Sequence, residues 1–382
     1  MMYDALEKSL SFLVFIFIGI LLKWRFSNKD EINGLKTLIL TLALPATIFI
    51  ALLKIKIDSN LIILPLFAIF FNTILFSISP LLLSFLGFSK KNAVSNTAKL
   101  LLPSLAPGLS CFPFILEFLG DNYLAKAAMA DLGNKFFVLF ILYLVAIRWH
   151  YANDLFKKAS ISNKLKSLFK SLVTEPVNIF IFMALILVAF GITLEKLPNY
   201  ISTTLNRLSL IMTPLVLLFI GLAVKIKREQ FIQIFSLLML RASIAVFAVL
   251  GIISLLDISV GKDILFMIAF SLSACSFWPF AHISSISSME KHINIEKRTF
   301  DIDIALSILA LSLPISVLLI LVILSTDDTF TNTTNISIIG FSLLAIGSIY
   351  PISILLKKAI ISKRSSNFIS QKQDSGQKIK VN

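Results

Sequence analysis

Long apolar runs recur along the whole chain and constrain its fold more than any other feature. A helix needs about 20 mostly apolar residues to cross a bilayer, and eleven segments reach roughly that length. They lie at 6–24, 34–53, 61–86, 98–119, 123–147, 173–194, 201–224, 231–256, 263–286, 301–324 and 336–356. The sequence therefore predicts an all-α integral membrane protein with about eleven transmembrane helices.

The composition excludes several other classes of protein. Only 15% of the 382 residues are charged and 57% are hydrophobic, whereas soluble domains carry about 25% charged residues. The two cysteines, Cys111 and Cys275, lie inside apolar runs and have neither disulfide-framework nor zinc spacing. No phosphate-binding G-x-x-x-x-G-K-[ST] motif occurs. We expect no metal, no cofactor and no enzymatic activity, and the protein is not a self-contained ATP-driven pump.

Basic residues fall mostly on one side of the predicted spans. Of 35 Lys and Arg residues, 26 lie in alternate loops and the C-terminal tail and 7 on the opposite side, while Lys135 and Arg241 lie within spans. Cytoplasmic loops carry the excess of Lys and Arg, so the N-terminus is predicted outside and the C-terminus inside. The net charge of +14 is thus explained by basic residues that orient the protein in the membrane and contact lipid, and we expect no nucleic-acid partner.

Glycine and proline landmarks divide the chain into two similar halves. Landmarks of the first half are spaced by 26 and 68 residues and those of the second by 23 and 65. They are Gly19, Pro45 and Pro113, then Gly191, Pro214 and Pro279. Each half holds five spans, and an odd number makes the second half enter the membrane from the opposite face. Such an inverted repeat is common among secondary transporters.

The domain organisation follows from this division. Two five-span repeats are joined by a basic cytoplasmic linker and are followed by an outer loop with an extra helix and a disordered cytoplasmic tail. The five segments are 1–147, 148–172, 173–324, 325–356 and 357–382. The abundance of Ile, Phe, Lys and Asn favours a bacterial origin, and hence the inner (plasma) membrane.

The fourth and ninth spans contain sequences that interrupt a helix, LLPSLAPGLSCFPF and SLSACSFWPFAH. Proline removes a backbone donor and clashes with the preceding turn. Broken backbone at membrane depth is tolerated only inside protein or beside a water-filled cavity. We therefore expect a substrate site here, with half-helix N-termini that offer free N–H groups to an anion.

At these residues the chain resembles the auxin efflux carrier family, the PIN-like permeases. The matching pieces are spread from about residue 34 to 324: LALPATIF, PGLSCFPFILEFLG, AMADLGNKFFVLF, MTPLVLLFIGLAV, SFWPFAH and LSILALSLP. The resemblance implies two inverted five-helix repeats, with broken helices 4 and 9 that cross near the midplane. It also implies transport of organic anions such as auxins, malate or malonate.

The resemblance makes Pro113 and Pro279 the crossover prolines and Gly108 the glycine ahead of the first. Three positions depart from the family. Ala106 stands where the family often has Asn, Cys111 stands where it often has a second glycine, and His282 is not expected after the second proline. These departures leave the substrate open, and the eleventh span is an addition to the family's usual ten.

Two groups of residues are candidates for the site. Candidates for substrate binding or the crossover are Gly108, Cys111, Pro113, Ser276, Pro279, His282 and Asn134. Candidates for ion or charge coupling are Asp131, Arg241 and Ser307.

Each candidate also has a structural interpretation. Asp131 and Lys135 share a helix face and can neutralise each other, while the Asn134 amide can reach the crossover. A lone buried Arg241 needs a substrate anion, an acidic side chain or helix-end carbonyls. His282 is either a proton-coupling group or a hydrogen-bonded structural histidine, and Ser307 either lines the cavity or packs helices.

The sequence as a whole predicts a secondary transporter that moves a small organic anion across the plasma membrane by alternating access. A proton gradient, a sodium gradient or the membrane potential would drive it. The alternatives are a sodium/bile-acid-type symporter, a membrane receptor without flux, and an intramembrane enzyme. The oligomeric state stays open, and a homodimer is one option.

Overall fold

The computed structural model of the protein describes residues 2–26, 28–54, 59–88, 93–152, 161–223, 231–290 and 298–377, and these contain helices but no strand. The helices of the first half are α1 (Met2–Leu22), α2 (Lys29–Leu38), α3 (Leu44–Lys54), α4 (Ser59–Phe85), α5 (Ala93–Leu101), α6 (Pro107–Ser110), α7 (Phe112–Leu119), α8 (Asp121–Phe136) and α9 (Leu142–Tyr151). Those that follow are α10 (Ile161–Thr174), α11 (Pro176–Ala189), α12 (Asn199–Leu210), α13 (Met212–Ala223), α14 (Phe231–Leu256), α15 (Gly261–Ser271), α16 (Phe277–Met289), α17 (Ile302–Ser325) and α18 (Thr333–Gln377).

Seven helices among the described residues are long and apolar enough to cross a membrane. They are Asp30–Leu53, Ile63–Phe85, Asp121–Tyr151, Asn199–Ala223, Phe231–Leu256, Ile302–Ser325 and Thr333–Leu356. The pair α10 and α11, bent by 63°, raises the number to eight if it forms one span. The predicted first, fourth and ninth spans are not among these helices. The structure supports an all-helical membrane protein, and the eleven-span inverted repeat stays a prediction.

Two π-helical turns widen the long helices. Ile39–Ala43 joins α2 to α3, and Phe137–Ile141 joins α8 to α9. Proline clashes with the carbonyl four residues earlier, and for Pro45 that carbonyl belongs to Thr41, inside the first π turn. The wider turn therefore lets the chain carry a proline without ending the span.

Glycines allow α1 and α13 to approach at backbone contact. A Cβ atom on Gly19 of α1 would lie 2.3 Å from the Leu218 carbonyl oxygen, and one on Gly221 of α13 would lie 2.1 Å from that of Ile16. Gly191, the predicted counterpart of Gly19, instead follows α11 with φ +69 and open space around it. These two landmarks of the proposed repeat therefore have different structural roles.

The C-terminal helix α18 packs along α14. The Ser236 hydroxyl donates to the Gly347 carbonyl, and the Ser243 hydroxyl donates to the Gly340 carbonyl at 2.8 Å. The partners are seven residues apart on both helices and run in opposite directions, so α18 is antiparallel to α14. The helix continues to Gln377, into the segment 357–382 that the sequence predicts as a disordered tail; residues 378–382 lie outside the described residues.

Candidate functional site

The two predicted interruptions meet in the structure. The first break lies between Leu101, where α5 ends, and Pro107, where α6 begins. The second separates α15 from α16. The Ala106 N–H of the first break donates to the Ala274 carbonyl of the second at 2.8 Å. The irregular backbone of each segment is therefore partly satisfied by the other.

Serine hydroxyls occupy the backbone N–H groups of the second break. Three successive N–H groups each donate to one serine Oγ, at 3.0, 3.3 and 2.9 Å. The pairs are Ala274 with Ser110, Cys275 with Ser312, and Ser276 with Ser104. The sequence predicts free N–H groups at the half-helix N-termini. In this conformation the three N–H groups just before α16 are occupied, and within its first turn the Trp278 N–H donates to Ser276 Oγ at 3.3 Å.

Arg241 of α14 holds the carbonyls of the first break. Its Nε donates to the Leu102 oxygen at 2.7 Å and its Nη2 donates to the Ser104 oxygen at 3.1 Å. The side chain is only 3% exposed. No carboxylate pairs with Arg241 in the part of the chain that the structure describes. Of the three partners that the sequence suggests, the structure shows the helix-end carbonyls.

Asn134 of α8 also binds the first break and uses all four of its hydrogen-bonding positions. Its Nδ2 donates to the Leu105 carbonyl at 2.9 Å, and its Oδ1 accepts from the Leu105 N–H at 3.1 Å. Its Nδ2 also donates to Asp131 Oδ1 at 2.8 Å, and its Oδ1 accepts from Asn72 Nδ2 at 3.0 Å. The amide reaches the first break and acts there as a backbone clamp.

A buried ionic cluster adjoins this clamp. Lys135 Nζ lies 3.3 Å from Asp131 Oδ2, 3.1 Å from Glu175 Oε1 and 3.0 Å from Asn178 Oδ1. Asn178 Nδ2 in turn donates to Glu175 Oε2 at 3.2 Å. The predicted Asp131–Lys135 pair is present, and the sequence analysis missed Glu175, Asn178 and Asn72. Polar residues inside or at the start of an apolar run, in FFNTILF and EPVNIFIF, were the available signal.

The proline and glycine candidates shape the two breaks. Pro113 is the second residue of α7 and Pro279 the third of α16. The N–H groups of a first turn have no partner within the helix, so both prolines start half-helices at little cost. Cys111 is buried in the turn between α6 and α7. A Cβ atom on Gly108 would lie 3.0 Å from Leu44 Cδ2, so a larger residue there would require the Leu44 side chain to shift.

His282 and Ser307 each make a hydrogen bond away from the two breaks. His282 Nε2 lies 3.0 Å from the Val138 carbonyl oxygen in the second π turn, and its ring lies 5.3 Å from that of Tyr143. A carbonyl only accepts, so this nitrogen carries a proton. The Ser307 hydroxyl donates to the Asp303 carbonyl of its own helix at 2.8 Å. Both contacts agree with the structural interpretations of these residues.

A cavity of about 510 Å³ lies apart from all these candidates. Apolar side chains of α4, α14 and α15 line most of it, together with Tyr123, Lys126 and Asp263. Lys126 Nζ lies 2.6 Å from Asp263 Oδ1. This ion pair joins the start of α8 to the start of α15, and none of the candidate site residues lines the cavity.

Comparison with known proteins gives one informative likeness. No family model matches the chain. Over 226 residues it is 28% identical to an uncharacterized transporter of Methanocaldococcus jannaschii, an alignment that covers 57% of this chain and 68% of that protein. This likeness and the apolar helices together support a membrane transporter.

Proposed function

We propose that this protein is a secondary transporter of a small organic anion, with the architecture of the auxin efflux carriers. In this proposal two inverted repeats move against each other by alternating access in the plasma membrane, the inner membrane of a bacterium. The N-terminus is outside and the C-terminus is cytoplasmic. The partners are the anion and membrane lipid, and the protein catalyses no reaction.

The observation that carries the proposal is Arg241, a buried cation with no acidic partner among the described residues, where the two breaks meet. Arg241 uses two of its five N–H donors on the carbonyls of Leu102 and Ser104. Carbonyl oxygens bear only partial charges, and burying an unpaired full charge is costly. A carboxylate supplies the missing charge and matches the planar guanidinium in a bidentate contact. An organic acid therefore suits this site better than a neutral solute.

The second break supplies further donors for the same anion. A serine hydroxyl that accepts a backbone N–H can rotate away and leave that N–H to a carboxylate oxygen. Ser273 adds one more hydroxyl. It is fully buried, and its Oγ makes no hydrogen bond of standard distance and angle. The Cys111 thiol is its polar neighbour. Arg241 would supply the positive charge, and the N–H and O–H donors of the second break would orient the bound anion.

Uptake of radiolabelled organic acids into proteoliposomes tests the proposal. Malate, malonate, a monocarboxylate and an indole acid are offered under imposed proton or sodium gradients. We expect saturable uptake of at least one acid. In Arg241→Gln, loss of charge-assisted hydrogen bonds worth about 1.5–3 kcal/mol should lower uptake by about 10–100-fold. Arg207→Gln, at an exposed position of α12, is the matched control.

Two results would count against the proposal. Unchanged saturable uptake in Arg241→Gln would show that the anion does not bind at Arg241, where the two breaks meet. No flux of any acid, with folded and correctly inserted protein, would remove the organic anion as substrate.

A further inference from the structure

The ionic cluster beside the Asn134 clamp holds more negative than positive charge. Two carboxylates, Asp131 and Glu175, face one ammonium, Lys135, whose three donors are used on oxygens at 3.0–3.3 Å. The side chains of Asp131, Lys135 and Glu175 are 6%, 8% and 22% exposed. With all three ionised the cluster is a buried charge of −1, which is costly within a membrane protein. One added proton makes it neutral.

The geometry favours a proton over a metal cation. Hard cations such as sodium need several oxygens that converge on one empty position. Here Lys135 Nζ already occupies the point on which the oxygens converge, and the two outer carboxylate oxygens face amide donors. Asp131 Oδ1 accepts from Asn134 at 2.8 Å and Glu175 Oε2 accepts from Asn178 at 3.2 Å. A second cation would meet an ammonium and N–H groups.

Few other titratable groups among the described residues face the cluster. Lys135 and Asp131 are the charged groups that act on Glu175, and the Cys111 thiol, in the turn between α6 and α7, lies within electrostatic range of Asp131. The remaining polar neighbours are amides, Asn72 from α4, Asn134 from α8 and Asn178 from α11. Glu175 is the more exposed carboxylate and therefore the more accessible of the two to an incoming proton.

A continuous chain of contacts connects Glu175 to the crossover. It runs from Glu175 to Lys135 at 3.1 Å, to Asp131 at 3.3 Å, and through Asn134 to Leu105 of the first break. While both carboxylates are ionised, Lys135 is shared between them. When Glu175 is neutral, the ammonium attracts Asp131 alone, and Asp131 is the side chain that accepts from Asn134.

We propose that Glu175, Lys135 and Asp131 form the binding site of the coupling proton, and that this proton sets how firmly Asn134 holds the first break. The inference rests on the proposed transport function and names its coupling ion. The proton forms an O–H bond with a Glu175 oxygen, changing the cluster from −1 to neutral, and is released to water on the other side after the conformational change.

Two measurements on the full-length protein in lipid test this site separately from transport. The first is the infrared carboxyl band of protonated carboxylic acid, followed through a pH titration without substrate. We expect a titrating band in the wild type that is absent in Glu175→Gln and retained in Glu195→Gln, the control at an exposed glutamate. If Glu175→Gln does not fold, Glu175→Asp replaces it, and the band should persist at a shifted position.

The second measurement is organic-acid uptake driven by a pH gradient. One coupled proton per anion allows about tenfold accumulation per pH unit. In Glu175→Gln the acid should no longer accumulate, so that its inside and outside concentrations become equal, while exchange of labelled for unlabelled acid continues.

A carboxyl band unchanged by Glu175→Gln, or left unshifted by Glu175→Asp, overturns the proton site whatever the flux. Flux that follows sodium and ignores pH overturns the coupling role but leaves the transport function. Absence of all flux rejects the transport function, and the infrared result then decides the proton site alone.

Discussion

The two breaks meet the same physical requirement with different chemistry. Each leaves backbone polar groups without helical partners, and buried groups of this kind must be paired. The first break is held by Arg241 and Asn134, each of which binds two backbone atoms. The second is held by three serine hydroxyls that accept one N–H each. One segment is clamped, and the other is paired by single, exchangeable bonds.

The difference matters because the strengths of the two kinds of contact differ. A neutral hydrogen bond contributes about 1 kcal/mol net, and bonds that involve a charged group contribute about 1.5–3 kcal/mol. A hydroxyl can also rotate to another acceptor, whereas the planar groups of Asn134 and Arg241 fix two atoms at once. The second break is therefore better suited to pass its donors to a ligand, and the first to keep its shape.

The largest expected effect comes from removing the Asn134 clamp. Asn134→Leu leaves the Leu105 N–H and C=O unpaired, which should destabilise the protein by about 2–6 kcal/mol at about 1–3 kcal/mol per group. Thermal unfolding in detergent measures it against Asn33→Leu, an exposed position on α2. An equal melting temperature for the two variants would show that Asn134 does not clamp the break.

A smaller effect is expected from Arg241→Lys, which keeps the charge. A lysine ammonium lacks the planar fork that reaches the carbonyls of both Leu102 and Ser104, so about 1–3 kcal/mol should be lost. Denaturant unfolding compares this variant with Arg207→Lys on the surface of α12. Wild-type stability in Arg241→Lys would mean that charge alone, without the two-point contact, holds the first break.

Single serine variants at the second break should have still smaller effects on stability. Ser104→Ala leaves one buried N–H, that of Ser276, without its partner and should cost about 1–2 kcal/mol. If the hydroxyls stand in for ligand oxygens, the half-saturation concentration for the anion should change more than the maximal rate. Uptake kinetics with Ser84→Ala, an exposed serine, as control distinguish this from a purely structural loss.

The smallest effect is expected at Ser307. Its hydroxyl donates within its own helix, and the carbonyl of Asp303 also has the backbone as a partner, so Ser307→Ala should change the unfolding free energy by less than about 0.5 kcal/mol. Anion uptake should be unchanged. A marked loss of uptake would support the role in ion or charge coupling that the sequence predicts for Ser307.

The sequence located the breaks because proline, glycine and serine clusters act on the local backbone. It also identified the Asp131–Lys135 pair and the reach of Asn134, which follow from helical spacing within α8. It missed Asn72, Glu175 and Asn178, which contact α8 from 40 to 62 positions away along the chain. Such contacts depend on how helices pack. For the same reason the serine partners of the second break could not be read from its local pattern.

The glycine contact between α1 and α13 has a consequence for how the chain is made. Gly19 and Gly221 each need the other's backbone to complete their packing, yet about 200 residues separate them. At a synthesis rate of about 5–20 residues per second, the first helix waits roughly 10–40 s in the bilayer before its partner leaves the ribosome. During that interval the backbone around Gly19 is exposed to lipid or to the insertion machinery, so early maturation depends on what occupies that position.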